Sequence, residues 1–396
     1  MVRTFNVTGS CDPQLHYMVD LTERLEKIKA LLEQGDYFTI NRARQYGKTT
    51  TIKALRNYLR EFYIVISLDF QRIGNAKFAT EHTFTQAFAN YLKRTVINKR
   101  YPISGLDNGL IENLAELAER KEQFAFDDMF PMLSDLCDTA EKPVVLIIDE
   151  VDSATNNQVF LDFLAQIRSY YLDREISPTF QSVILAGVYD VKNIKIKMRP
   201  EEKHKTNSPW NIAADFRIDM SFSPADIQGM LSQYEADRCT GMDTEQMAGE
   251  IYAYTSGYPF LVSKICKLLD ERIAGSEAFP HTSEAWTKEG LYAAVNLLTS
   301  EKNTLFDSLT GKLMDYPDLK AMLSSILFEG KDYPYVSTNH FIEMAEMLGF
   351  IRNEHNVIKV SNRIFETVLY NHLLSEEMVN SRMYDSALAN KCLSLN

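Results

Sequence analysis

The sequence predicts an α/β fold: a parallel sheet sandwiched by helices, then a helical region that closes on a hairpin. Three observations carry that expectation. A glycine-lysine-threonine loop, Asn41-Arg42-Ala43-Arg44-Gln45-Tyr46-Gly47-Lys48-Thr49-Thr50, stands between an apolar run (Tyr37 to Ile40) and a helical pattern (Thr50 to Leu59). Far downstream, the five apolar residues Val144 to Ile148 end on Asp149-Glu150, as a fully buried strand does where its carboxyl end meets a crevice. Between and around these two stretches, apolar runs alternate with segments of helical period, which specifies strands linked through covering helices.

Taken in order, the chain begins with a short extended stretch, Thr4 to Val7. Asp20-Leu21-Thr22-Glu23 offers an acceptor with Glu three residues on, a capping box that opens a helix to about Glu33. The loop strand and the helix after Thr49 follow. Tyr63 to Phe70 is β-branched and aromatic and reads as a second strand. Phe78 to Asn98, Leu110 to Lys121 and Phe126 to Leu136 read as helices by their apolar spacing. The Val144 strand is followed by a helix from Gln158 to Tyr171 and by a buried strand, Phe180 to Ala186, that ends at Gly187. That strand is expected to lie between the two motif strands. Asp219 to Phe222 looks like the last strand, and Lys192 to Ser208, rich in charge, like an exposed loop.

Ser223-Pro224-Ala225-Asp226 then supplies an N-cap, a proline at the first helical turn and an acid near the positive end of the helix dipole. Helical patterning runs to about Arg272 and on to about Leu348, interrupted at Gly257-Tyr258-Pro259, where a residue free to take positive φ precedes one with fixed φ. Taken alone this is a turn between helices. Two short β-type runs within Gly349 to Val360 flank a polar turn, and a helix from Asn362 to Leu374 follows. Helices followed by such a hairpin suggest a winged-helix-like module.

Composition narrows the function classes. A chain of 396 residues with 45% hydrophobic content has room for more than one domain and a sizeable core. Its formal net charge of −12 disfavours nucleic acid as the default partner. The five cysteines are scattered, with no metal-binding spacing, and fit a reducing compartment. The first residues lack the apolar region of a secretory signal and no window reaches the length of a membrane span, so a cytoplasmic protein without membrane contact is expected.

The chemistry lies in the two motifs. Gly47 lets backbone N–H groups close on a phosphate, the Lys48 ammonium reaches the outer phosphates, and the Thr49 hydroxyl is placed for Mg²⁺. Gln45, Tyr46 and Thr50 complete the loop. Arg42 stands where the usual pattern has glycine, so Arg42 and Arg44 either add charge near the phosphates or form a solvated pair at the loop mouth. Asp149 is expected to hold Mg²⁺ through water, and Glu150 to orient or deprotonate an attacking water. The expected ligands are therefore ATP and Mg²⁺, with Lys48 and Glu150 as catalytic residues and Thr49 and Asp149 as metal ligands. Asp152 is expected to cap the turn that follows, and Tyr189 or Asp190 is placed either to sense the γ-phosphate or merely to turn the chain. Arg168, Arg199 and Arg217 are all candidate arginine fingers, and His16 reads as structural.

At these residues the chain resembles the AAA-like P-loop ATPases of bacteria and archaea related to the signal-transducing (STAND) and origin-recognition ATPases. Phe5-Asn6, His16-Tyr17-Met18-Val19-Asp20 and the loop from Tyr37 to Thr50 look like the opening of one such bacterial family, and the similarity is best over roughly residues 4 to 275. The resemblance implies that Tyr17 to Asp20, Val19 included, lies against adenine. It implies further that Gly257 and Pro259 form the G-x-P motif of a helical lid packed on the nucleotide, and that a C-terminal winged helix contacts DNA or locks the nucleotide domain. It divides the chain into an ATPase core (1–222), a helical lid (223–290) and a winged-helix-like domain (291–396). Residues 301–396 hold nine Lys and Arg against thirteen Asp and Glu, which favours a protein partner or self-association over DNA. The expected activity is slow ATP hydrolysis driving a nucleotide-dependent switch. The alternative is a non-hydrolysing, ATP-stabilised interaction module that docks on DNA or on a defence or regulatory protein. A small-molecule kinase is disfavoured, because no acceptor-site signature accompanies the lid.

Overall fold

The computed structural model describes residues 3–188 and 210–380, and the chain forms two compact units. The sheet unit comprises Leu21–Ala43 and Gly47–Met220, and the helical unit comprises Met1–Asp20, Arg44–Tyr46 and Ser221–Asn396. Tyr189, Asp190, Arg199 and the Lys192 to Ser208 loop lie outside the described residues.

In the sheet unit, β1 (Phe38–Asn41), β2 (Ile64–Asp69), β3 (Val144–Asp149) and β4 (Ser182–Gly187) form a parallel sheet in the order β1-β4-β3-β2. The strand ending at Gly187 thus lies between the two motif strands, as its sequence position suggested. The register sets Asn41 opposite Gly187 and Asp69 opposite Asp149, so the loop, the acidic pair and Gly187 share the carboxyl edge of the sheet. In open parallel sheets ligands bind at this edge. Both β3 and β4 are buried along their whole length, which is why each reads as a continuous apolar run and not as an alternation.

Helices α1 (Thr22–Glu33), α2 (Lys48–Leu59), α3 (Glu81–Val96), α4 (Asn108–Arg120), α5 (Phe126–Asp138) and α6 (Gln158–Leu172) accompany these strands. Aromatic rings dominate the packing: Phe163 of α6 lies 5.2 Å from both Phe84 and Phe88 of α3, and Phe126, Phe130 and Phe160 are buried with them. Full burial of such a side chain contributes roughly 1.5–3 kcal/mol.

One local expectation is corrected. Asp219 to Phe222 is not a strand. On the outer side of β1 the described residues provide one bridge, Phe38 to Ala214, with the Ala214 N–H donating to the Tyr37 carbonyl at 2.7 Å. The Phe222 N–H donates instead to the Gly257 carbonyl at 2.8 Å, so the run ends in the helical unit. At α1 the residue before the first turn is Leu21, in a helical conformation.

The helical unit contains α7 (Pro224–Arg238), α8 (Thr244–Thr255), α9 (Pro259–Leu268), α10 (Thr282–Ala285), α11 (Lys288–Ser300), α12 (Thr304–Asp315), α13 (Pro317–Glu329), α14 (His340–Met347) and α15 (Arg363–Asn380). The cap read from sequence before α7 is present: the Ser223 hydroxyl accepts from the Asp226 N–H, and the Asp226 carboxylate accepts from the Ser223 N–H. Residues 3–20 pack here, with Phe5 and Tyr17 against Tyr234 of α7 and Phe5 against Trp286. Antiparallel strands β5 (Ile351–Glu354) and β6 (Val357–Val360) form the hairpin. Its turn, His355-Asn356, has positive φ at both residues, the two-residue geometry that matches strand twist. Among the described residues no helix is long and apolar enough to cross a membrane.

Candidate nucleotide-binding site

The glycine-lysine-threonine motif lies where β1 gives way to α2. Gly47 caps the helix at φ +81°, a left-handed conformation that glycine adopts without strain, and Lys48 is the first helical residue. The opening N–H groups of a helix have no intrahelical partners and point along the positive end of its dipole, so the start of α2 carries partial positive charge. Lys48 is only 8% exposed, and its ammonium donates to the Arg42 carbonyl at 2.8 Å and the Ala43 carbonyl at 3.0 Å. The same side chain therefore carries the charge and curves the loop. Thr49 is exposed and Thr50 half-buried.

Arg42 has partners that its position in the loop did not reveal. Its guanidinium donates to the Asn41 carbonyl at 2.7 Å and to the Ile218 carbonyl at 2.8 Å, and it lies over the Phe216 ring at 5.5 Å. The residue standing where glycine is usual thus ties the loop entry to the 216–218 segment. Arg44 is exposed.

At the end of β3, Asp149 is buried and its carboxylate accepts the Glu150 N–H at 2.9 Å. Burial, with smaller contributions from the Glu150 and Asp69 charges, pushes its carboxyl up to about 6, against the opposing pull of the Glu150 N–H and of Lys48. Glu150 sits at φ +55°, a left-handed conformation that costs a side-chain-bearing residue free energy and is typical of functional turns. Asp69 was not singled out from sequence. Only the β2–β3 register reveals it beside Asp149, since nothing in the local string Ser67-Leu68-Asp69 marks it.

Asp152 has a long-range role beyond the turn that follows it. Its carboxylate accepts the Val188 N–H at 2.7 Å and so fastens the end of β3 to the end of β4. A Cβ on Gly187 would come within 2.9 Å of the Asp152 carboxylate and of Val151, which explains glycine at that strand end. Of the candidate fingers, Arg217 is exposed and pairs with Asp215 at 2.9 Å, and Arg168 lies on α6. His16 is structural, its Nδ1 accepting the Asp12 N–H at 2.9 Å.

The loop tip, Arg44–Tyr46, clusters with the helical unit. Gln45 has φ +58°, and its amide donates to the Thr304 hydroxyl at 3.4 Å. The Tyr46 ring meets the Tyr258 ring edge-on at 4.7 Å, and the Tyr258 hydroxyl donates to the Arg44 carbonyl. Tyr258 precedes α9, whose first residue, Pro259, is buried, as is Val19. Tyr17 is held by its hydroxyl on Asp237 at 3.1 Å, with the Arg3 guanidinium over its ring at 5.0 Å.

Comparisons with known proteins agree with this arrangement. In solved structures, the chain is similar to a Walker-type ATPase of Pyrococcus abyssi, with a TM-score of 0.60 and 16% identity over 92% of this chain and 99% of that one. It is more distantly similar to the ORC2 protein of Aeropyrum pernix, with a TM-score of 0.44 and 12% identity over 91% of this chain and 94% of that one. An uncharacterized WD repeat-containing protein of Synechocystis is 22% identical over 256 residues, which are 62% of this chain but only 19% of that protein, so the chain spans about a fifth of that relative's length. The family described as "AAA-like domain" matches residues 16–371. With a parallel sheet, a phosphate-type loop opening α2 and an acidic pair closing β3, the chain has the P-loop NTPase fold and belongs to the AAA-like domain family.

Proposed function

We propose that this protein binds Mg²⁺-ATP at the carboxyl edge of its sheet, hydrolyses it slowly and uses the nucleotide as a switch. One observation carries the reading. Lys48 at the start of α2 and Asp149 at the end of β3 lie near enough, across the intervening β4, for the ammonium to influence the carboxyl, which supports a site with phosphates on one side and a metal on the other.

The residues present fit the ligands. Gly47, Lys48, Thr49 and Thr50 would take the phosphates on the α2 N-terminus and the Lys48 charge. Gln45 and Tyr46 would complete the loop, and Val19 and Pro259 would contribute the contacts that the family resemblance assigns to the nucleotide. Thr49 and Asp149 would hold Mg²⁺, whose charge would favour the ionised form of a carboxyl that burial otherwise disfavours. Glu150 would orient the attacking water and accept its proton, and its strained backbone would hold the carboxylate at the end of β3.

The C-terminal sequence of helices α12 to α14, hairpin and α15 is proposed to be a winged-helix-like module that follows nucleotide state. A protein surface is its proposed partner, because its excess of acids removes the phosphate-binding footprint of a DNA reader. The relative named for WD repeats is consistent with a protein-facing role.

Calorimetry and phosphate release test the site together. Lys48→Ala is expected to lose nearly all ATP affinity, because the phosphates lose their positioned ammonium. Glu150→Gln is expected to keep the affinity and lose turnover, because the amide preserves shape but accepts no proton. Equal ATP affinity in Lys48→Ala and the unaltered protein would sink the assignment, and phosphate release by Glu150→Gln at the unaltered rate would remove Glu150 from its role.

A further inference from the structure

The tip of the loop is held by an unusual amount of specific packing for three surface residues. Tyr258 is 3% exposed, its hydroxyl donates to the Arg44 carbonyl, and its ring meets Tyr46 edge-on at 4.7 Å. The Tyr258 ring also meets Phe365 of α15 at 5.1 Å, and Phe365 meets Phe306 of α12 at 6.4 Å. Two residues before Phe306, Thr304 opens α12 and accepts the Gln45 side chain. The contacts therefore close a circuit: loop tip to Tyr258, to Phe365, to α12, and back to the loop tip. Edge-to-face ring pairs of this kind favour one relative orientation beyond the area they bury.

The hairpin grips the same kink from its other end. Arg352 of β5 donates to the Ser256 hydroxyl at 2.8 Å and to the Ser361 carbonyl at 2.6 Å. Ser256 and Gly257 are both left-handed, so the chain before Tyr258 has little freedom to relax.

We infer that Tyr258 is a positioning residue for the phosphate loop: through the Arg44 carbonyl and the Tyr46 ring it fixes the loop tip to α12 and α15. The inference rests on the nucleotide reading for its consequence, since a loop held at its tip presents its N–H groups preorganised, but the contact itself does not. Burial drives the Tyr258 phenol far above its ordinary value, so it remains a neutral donor across working pH. The hydroxyl has a specific target, a carbonyl that would otherwise lie in a turn without a secondary-structure partner.

The test uses Tyr258→Phe in the full chain, which deletes the hydroxyl and keeps the ring, and Phe365→Leu, which loosens the ring from behind without touching the loop. Losing one hydrogen bond of net strength near 1 kcal/mol should weaken ATP and ADP binding roughly threefold to tenfold in Tyr258→Phe. Phe365→Leu should move affinity the same way although it lies on the last helix. Hydrogen exchange without nucleotide should quicken at residues 41–52 in both variants, with β3 unchanged, a local signature that general destabilisation does not give. Unchanged exchange at 41–52 in Tyr258→Phe overturns the inference whether or not the protein binds ATP. Quickened exchange with no nucleotide affinity in the unaltered chain would support the contact while refuting the nucleotide reading. Quickened exchange across β3 as well would mean that Tyr258 is only a core residue, and would also overturn it.

Discussion

Burying the Asp149 carboxylate destabilises the fold unless a cation offsets the charge, and this sets a pH dependence with a definite sign. Its folded value, about 6, lies above the ordinary 3.8, so between those values the folded protein holds more protons than the unfolded chain. Stability is then full below the unfolded value and falls as pH rises through the folded one, by at most about 3 kcal/mol. In chelator and without nucleotide, Asp149→Asn is expected to stabilise the protein by about 1–3 kcal/mol at pH 7.5 and by little at pH 4, measured by urea unfolding. The amide oxygen still accepts the Glu150 N–H, so packing is preserved. A variant less stable than the parent at pH 7.5 would show that the carboxylate is structural. At this scale sequence reveals residue types but not their reach. Arg42 in the glycine position is plain in the string, whereas its partners Phe216 and Ile218 lie far along the chain and come beside it only through the fold.

Elements were legible where their signal is local. Ser223-Pro224-Ala225-Asp226 caps α7 as written, because cap chemistry needs only the next three residues. Two continuous apolar runs became the two fully buried strands β3 and β4. Asp219 to Phe222 has an acceptable strand composition, yet the Phe222 N–H goes to Gly257, and no local pattern encodes a partner that distant. That bond also explains the Gly257 turn: at φ +72° an added Cβ would lie 2.0 Å from the Phe222 carbonyl oxygen, which cannot move without losing the pairing. Gly257→Ala should therefore cost more than about 3 kcal/mol, from left-handed strain plus a backbone clash. Gly249→Ala, within α8 and with nothing near its added Cβ, should instead stabilise by roughly 0.5–1 kcal/mol. Thermal unfolding of the pair separates the two, and similar melting temperatures would refute the close-approach account.

For the whole molecule, the charge distribution decides which macromolecules the chain can bind. The net charge is −12, and residues 301–396 carry nine basic against thirteen acidic side chains. Non-specific DNA affinity comes chiefly from counterions released when Lys and Arg neutralise phosphates, so a module with an acid excess has little of that term to draw on. Fold resemblance does not supply the missing charge, since one backbone serves many ligands and the surface selects among them. The hairpin illustrates this, because Arg352 and Lys359, its two basic side chains, are engaged by Glu354 at 2.6 Å and Asp332 at 2.7 Å. Full-length protein with ATP should bind random duplex DNA more weakly than about 10 μM near physiological salt, with only a shallow salt dependence, read by fluorescence anisotropy. Glu354→Gln and Asp332→Asn together should strengthen that binding and steepen its salt slope by removing the two carboxylates that neutralise these cations. Sub-micromolar, salt-sensitive binding by the unaltered chain would mean that a basic surface exists beyond these residues and that the protein-facing reading of the C-terminal module is wrong.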